Sequence, residues 1–402
     1  MIDPSGLKSI TGGIFRANPV YEIVLLDRLP EVYRDAFEAE AEQDPELHGV
    51  LWPTSGQGLS PKTICHETAL LLHSLRQPGP LPAYVRTRLG PDCNRTVAEL
   101  VLDGVLELAM GPDAGFVSGP AAHALIHRDE AFALGQGRIA ALSRDALRYG
   151  QGLRVEGSGE LSSRLYAYNT VPITAAWREK LSTLETIEDF LGIRGDSATR
   201  RLLERHWVRL GEGEGNDGWL MWRPRHARPR GARADEIRRF KLYVSPRPEA
   251  LPQAWPDVVD VFARSGVAAF KIGRDVSGLL RPDKIVAYLD SFEELADLAV
   301  RLQERLVGCP AQGTPFTAGI DDAGLLSWGM DPPSEERMPG SGLPESWRLW
   351  VTNRLAVALA AAKVTCAGIE PWQFALRRLS IEGVDIDTWA PDRQRWHEKR
   401  RG

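Results

Sequence analysis

The chain is poor in cysteine: Cys65, Cys93, Cys309 and Cys366 are scattered over 402 residues, and no CxxC pair occurs. Such spacing argues against a disulfide framework or a zinc site and fits free thiols in a reducing compartment. Long apolar runs are missing too, with no stretch of about 18 apolar residues of the kind a membrane helix needs. The N-terminal MIDPSGLKSITGG has acidic and glycine residues where a secretion signal needs an apolar centre. The expectation is a folded cytoplasmic protein that does not engage a membrane. Neither sign of charge dominates, 49 Lys plus Arg standing against 54 Asp plus Glu, for a net charge of −5. That near balance argues against a general nucleic-acid binder, so any anion site must be local. The kinase set is not complete either: an HRD occurs at 127–129, but VAIK and DFG do not accompany it.

What is present suggests two domains, because the chain exceeds the usual size of a single core. The expected division is 1–150 and 151–402, at the glycine-rich GQGLRVEGSGE. In the first part CHETALLLHSLRQ and PAYVRTRL have helical spacing, with Pro78 and Pro80 breaking the helices apart. TVAELVLDGVLEL continues the helical pattern into a strand-like LELAM, a GPDAG turn and FVSG. The expectation is a mainly helical domain whose helix–strand–turn–strand order resembles a small winged-helix module, able to bind a peptide or serving only as structure. In the second part LSSRLYAYN reads as the start of a strand with Tyr166 and Tyr168 on one face, and residues 196–208 read as a helix. Residues 211–218 read as a loop, and 223–239 as a basic solvated linker.

From Phe240 the pattern becomes α+β. FKLYVS, VAAFKIG and KIVAYLD read as strands, and a helix precedes the second of them. SFEELADLAVRLQERLVG reads as an amphipathic helix capped by Ser291, with Glu294 at the capping-box position. LLSWGM is strand-like, and ESWRLWVTNRLAVALAAAKV closes the pattern as a helix.

These strands carry cations where cations are costly. VAAF is apolar and delivers Lys271 into a poorly hydrated place, where desolvation lowers an amine's pKa and frees it to act as a base. Lys241 and Tyr243 are two residues apart, so the period of a strand puts ammonium and phenol side by side. Arg274, Arg281 and Lys284 flank the intervening loop, and a guanidinium's planar fork suits a phosphate. The plain alternative is that these cations snorkel from edge strands into solvent.

The order KxY on a first strand, a helix, FK on a second strand, an arginine-containing loop and KIVAYLDSFEEL resembles the phosphothreonine lyase fold. That fold occurs in bacterial effector lyases, in the lyase domains of class III and IV lanthipeptide synthetases, and in stand-alone HopA1-like lyases of class V systems. The resemblance covers roughly Phe240 to Pro333. It implies a C-terminal lyase-like sheet with flanking helices, in which Lys271 removes an α-proton and Lys241 polarises the neighbouring carbonyl. Tyr243 stands where many relatives have histidine, which leaves the identity of the general acid open. Arg281 matches a phosphate-binding arginine best; Lys284, Arg274, Arg164, Arg348 and Arg354 are further candidates. The implied reaction is β-elimination of phosphate from phosphoserine or phosphothreonine in a precursor peptide, with no cofactor and with a separate kinase supplying the phosphate. The rival from another class is a non-catalytic scaffold that uses the same cations to hold a phosphopeptide or a partner enzyme.

Other signals are weaker. GQGRIA, from Gly135 to Ala140, fits a dinucleotide-binding form, yet HRDEAFAL before it reads as a helix where a buried strand is required. His66 and His73 in HETALLLH are too far apart for the HExxH zinc pattern. His206, Trp207, Trp219 and Trp222 are either an aromatic peptide surface or, more simply, core.

Overall fold

The computed structural model describes residues 6–31, 34, 46–54, 61–111, 113–128, 135–155, 157–211, 218–226, 240–332, 345–365 and 368–392. Residues 227–239 of the basic linker, 212–217 of the preceding loop, 129–134, 333–344 and Cys366 lie outside them.

The first part contains β1 (Ile14–Ala17), β2 (Tyr21–Leu25), β3 (Leu47–Pro53), β4 (Lys62–Cys65), α1 (His66–Ser74), α2 (Ala83–Leu89), α3 (Cys93–Leu102), β5 (Leu106–Ala109) and α4 (His123–Ile126). It therefore sets helices beside two small antiparallel sheets. Strands β2, β3 and β4 form one antiparallel sheet, while β1 pairs with β5 across the helices between them. Leu108 bridges to Val117 on the far side of the GPDAG turn. Val97, Val101 and Leu102 of α3 are buried behind this hairpin.

Helix α5 (Arg138–Gly152) runs through the glycine-rich boundary expected at 150, and Gly150 is buried inside it. The strand expected at LSSRLYAYN is instead helix α6 (Ser158–Tyr166), because Leu161, Ser162 and Leu165 bury one helical face. Tyr166 and Tyr168 consequently part company, and Tyr168 packs near Tyr149 with ring centres 5.5 Å apart. Three short helices follow: α7 (Ala175–Lys180), α8 (Leu184–Phe190) and α9 (Ala198–His206).

The remaining chain builds one antiparallel sheet. Its strands are β6 (Trp207–Arg209), β7 (Trp219–Pro224), β8 (Phe240–Val244), β9 (Ala269–Gly273), β10 (Ile285–Leu289), β11 (Ala318–Gly319) and β12 (Leu326–Met330), in the order β11-β12-β8-β10-β9-β7-β6. Between and after them lie α10 (Leu251–Arg264), α11 (Val276–Leu280), α12 (Phe292–Arg305), α13 (Trp347–Lys363) and α14 (Pro371–Ile381). The pleat sends Leu242, Phe270, Ile272, Ala287, Leu220 and Trp222 to one face, where α10 and α12 cover them. Phe270 is the centre of this layer, with Trp222 stacked at 5.2 Å and Phe262 at 5.1 Å. Trp207 and Trp222 are thus core residues, and Trp219 is not. Ser291 caps α12 by accepting from the Glu294 N–H at 3.1 Å, while the Glu294 carboxylate reaches back to the Asp290 N–H at 3.2 Å.

Helix α13 packs on α6 and α14 and seats its first residue, Trp347, against β12. Only glycine fits beneath that ring, since a Cβ at Gly329 would collide with the Trp347 indole. Farther along, Arg378 of α14 clasps Asp103, just after α3, with two 2.8 Å bonds and pairs with Glu382 at 2.9 Å. The two parts of the chain are thereby tied.

Every strand pair among the described residues is antiparallel, so GQGRIA has no parallel βαβ unit to serve among them. No group of His, Cys, Asp and Glu among the described residues is arranged for a metal. No helix among them is long and apolar enough to cross a membrane.

One buried titratable group sets an acid limit on this fold. His127 is buried, stacked on His123 with ring centres 4.7 Å apart. Burial, with His123 and Arg377 nearby, pushes its pKa from 6.5 down to about 3. The unfolded chain therefore binds a proton that the native state refuses, so stability should fall as pH drops from 6.5 towards 3. The slope due to this group is at most about 1.4 kcal/mol per pH unit. Urea unfolding of the parent and of His127→Leu over that range should show a stability difference that moves in the variant's favour as pH falls.

Candidate active site

On the face of the sheet opposite α10 and α12, the pleat gathers the other set of side chains. Register places Tyr288 of β10 opposite Lys241 of β8, and Val286 between Tyr243 of β8 and Lys271 of β9. Met221 of β7 lies opposite Lys271, while Ser327 and Gly329 of β12 lie opposite Tyr243 and Lys241. Tyr243, Ala269, Val286 and Tyr288 make a small apolar cluster of their own, with Trp219 and Met221 against it. Strands β8, β9 and β10 are all internal, so the edge-strand reading of these cations does not hold.

Lys241 is only 7% exposed and is ion-paired with the carboxylate of Asp331, which follows β12. Lys271 is half-buried and makes no ion pair among the described residues. Its ammonium position lies over the Trp219 ring at 4.1 Å and within 5.8 Å of the Tyr288 ring centre, which Lys241 approaches to 5.4 Å. Burial, aided by the charge on Lys241, lowers the Lys271 pKa from 10.5 to about 8. An appreciable share of this amine is therefore neutral near physiological pH.

Next to the lysines stands a guanidinium clamp built on Asp283. Arg281 donates to both oxygens of that carboxylate at 2.9 and 2.8 Å, and Arg348 of α13 pairs with it at 2.8 Å. The Tyr166 hydroxyl, at the end of α6, donates to Asp283 at 3.1 Å and accepts from Arg281 at 2.9 Å. Arg348 is 1% exposed and also donates to the carbonyls of Tyr166 at 2.8 Å and Pro315 at 3.2 Å. Burial alone would raise the Asp283 pKa, but Arg348 and Arg281 outweigh it and hold the carboxyl well below the usual range. Arg281 faces the lysines as well, lying over the Trp219 ring at 5.1 Å.

Tyr243 is 3% exposed, and burial pushes its phenol well above 10. Such a hydroxyl keeps its proton and is suited to donating a hydrogen bond, but it is a weak acid. The remaining candidates lie elsewhere or are already engaged. The Lys284 amine is fully buried and donates to the Pro246 carbonyl at 2.9 Å and to Gln312; burial lowers it to about 7. Arg164 sits on the exposed side of α6, paired with Glu160 at 3.2 Å. Arg354 pairs with Glu382 at 2.7 Å in the cluster that ties α13 to α14. Arg274 follows β9 and is half-buried, its backbone N–H bonded to the Gly218 carbonyl at 3.0 Å. The structure thus brings together Lys241, Tyr243, Lys271, Arg281 and Arg348, and adds Asp283, Asp331, Tyr166, Trp219 and Tyr288. Of the additions, Tyr288 was accessible to the same period-two argument, because it lies on a recognised strand two residues from Val286.

No protein-family model and no curated protein matches the chain. Among solved structures, an effector protein from Pseudomonas syringae pv. tomato strain DC3000 aligns at 12% identity with a TM-score of 0.38, covering 63% of this chain and 96% of its own. The type III effector and phosphothreonine lyase OspF from Shigella flexneri aligns at 14% identity and a TM-score of 0.27, over 35% of this chain and 75% of that one. The phosphothreonine lyase effector VirA of Chromobacterium violaceum gives 16% identity and a TM-score of 0.26, over 36% and 77%. Likeness at this level assigns no activity.

The clamp has a measurable energetic signature. Removing Arg348 strips a buried carboxylate of one of its two guanidinium partners, so Arg348→Met should cost about 3 kcal/mol in urea unfolding. Combining it with Asp283→Asn should cost clearly less than the sum of the two single changes, because the orphaned charge is then gone.

Proposed function

We propose that the protein is a lyase that eliminates phosphate from phosphoserine or phosphothreonine residues of a peptide, leaving dehydroalanine or dehydrobutyrine. The observation that carries this reading is the half-buried Lys271 amine. It has a pKa near 8 and no ion-pair partner among the described residues, and it stands on the same sheet face as a buried ammonium and beside a two-arginine clamp.

In this reading the phosphate lies against the exposed side of Arg281, with the buried charge of Arg348 behind it, and their charge neutralises the leaving group. Lys241, with the Tyr243 hydroxyl beside it, donates to the carbonyl of the phosphorylated residue. Neutral Lys271 then takes the proton from Cα, and the electron pair left behind is held on that carbonyl oxygen as an enolate. Collapse of the enolate forms the Cα=Cβ bond and breaks the Cβ–O bond, and the phosphate leaves with that oxygen. Lys271 returns its proton to solvent. The raised pKa of Tyr243 means that phosphate departs as an anion on the arginines, without a proton from the phenol. The Trp219 and Tyr288 rings keep Lys271 dry, and a dry amine spends more of its time in the neutral form that can accept a proton.

The substrate in this proposal is the precursor of a dehydrated, lanthipeptide-like product made by the ribosome. A separate kinase phosphorylates it, and all of this chemistry is cytoplasmic. The strand–helix–strand arrangement of β1, α1 to α3 and β5, with the turn to Val117, is read as a winged-helix module that holds the precursor.

Incubation with a phosphothreonine peptide should convert it to the product that has lost phosphoric acid, followed by mass spectrometry. Lys271→Ala should slow that conversion by about 10³-fold. Peptide bound but never converted would overturn the proposal in favour of a scaffold. Because the neutral form of Lys271 is the active one, kcat/KM should rise with pH through a midpoint near 8.

A further inference from the structure

The two site lysines are alike in residue type and lie within reach of the same Tyr288 ring, yet elimination needs them in opposite protonation states. One must be an ammonium and the other an amine. Nothing in their covalent chemistry makes that choice.

We infer that Asp331 is a positioning residue that fixes the proton of the pair on Lys241, leaving Lys271 as the member that acts as base. The catalytic consequence rests on the elimination reading above, whereas the charge assignment does not. Three observations support the inference. Residues 327, 329 and 331 follow the alternation of β12, which brings the Asp331 side chain onto the site face beside Gly329, the residue opposite Lys241. The ion pair between Asp331 and Lys241 forms there, with the Asp331 side chain 24% and the Lys241 side chain 9% exposed. Asp283, the other carboxylate of the site, is committed to Arg281, Arg348 and the Tyr166 hydroxyl.

The groups that act on Lys271 come from every element around it. Strand β8 presents Lys241 and Tyr243, and β10 presents Tyr288. The turn into β10 contributes Arg281 and Asp283, α6 contributes Tyr166 and α13 contributes Arg348. Strand β7 contributes only Trp219 and Met221, which carry no charge. In this set Asp331 is the carboxylate that contacts a lysine. Two ammoniums sharing one half-dry site repel each other, so the pair holds a single proton over a wide pH range, and the member with the carboxylate keeps it.

Neutralising Asp331 removes negative charge near both amines, and both should then lose their protons at lower pH. The productive arrangement also becomes one of two comparable ones. The test is competitive acetylation of the purified full-length protein by trace acetic anhydride as a function of pH, read at each lysine by mass spectrometry. This readout needs no substrate and no turnover. In the parent, Lys271 should acquire label at lower pH than Lys241. In Asp331→Asn the labelling of the two lysines should lose its separation in pH, and Asp331→Glu should restore it. Asp331→Ser replaces the asparagine variant if that does not fold. In the kcat/KM profile for a phosphothreonine peptide, the rising limb should move to lower pH in Asp331→Asn, a shift that loss of packing alone does not produce. A Lys241 labelling midpoint unchanged by neutralising Asp331 overturns the inference. Labelling that moves as expected, in a protein whose parent form never converts the peptide, upholds the charge assignment and rejects the lyase.

Discussion

Side chains of a strand alternate between its two faces, and in this sheet one face is spent on core packing while the other holds polar chemistry. Everything at the site depends on that alternation being kept across several strands at once. Phe270 and Lys271 are neighbours in sequence but belong to opposite environments: the first to the aromatic layer under α10, the second to the rings of Trp219 and Tyr288. A one-residue slip of β9 against β10 would exchange them and bury an amine among Trp222, Trp255 and Phe262. The dense aromatic packing around Phe270 therefore does more than stabilise the domain. It sets the register from which Lys271 gets its position.

The second organising element is the pair of carboxylates. A site made only of lysines and arginines would repel itself, and burial would strip its lysines of their protons without preference. Asp283 gathers the two guanidiniums into a clamp that stays charged, and Asp331 meets one of the two lysines. The cations still outnumber the carboxylates, so the site remains receptive to an anion. The field that would draw a phosphate is thus local, in a chain whose overall net charge is −5.

How much of this is legible in the sequence depends on the range of the contact concerned. The α+β character after Phe240, the shared face of Lys241 and Tyr243, and the burial of Lys271 follow from periods of two residues within single strands. The cap at Ser291 follows from a spacing of three. Tyr166 escapes a local reading because its meaning comes from Asp283, 117 residues away, and because its segment passes for a strand until α13 claims the face of Leu161 and Leu165. Asp331 and Asp283 escape for a related reason. A search for phosphate ligands looks for cations, whereas the arrangement of cations is set by their counter-ions. Lys284 and Arg354 share the charge of the cations gathered on the sheet face, but one is claimed by carbonyl and amide acceptors and the other by carboxylates of the C-terminal helices. Composition cannot distinguish an engaged cation from an available one.

Gly329 ties these layers together in another way. The Trp347 indole rests on the bare backbone there, and Arg348 is the next residue along. The vertical position of α13 over the sheet is therefore set by the absence of a single methyl group. Any larger residue at 329 acts as a shim: it raises the helix and with it the guanidinium of Arg348, drawing the clamp open from outside the polar cluster. Substitutions at a position that carries no functional group would then masquerade as losses of the arginine itself.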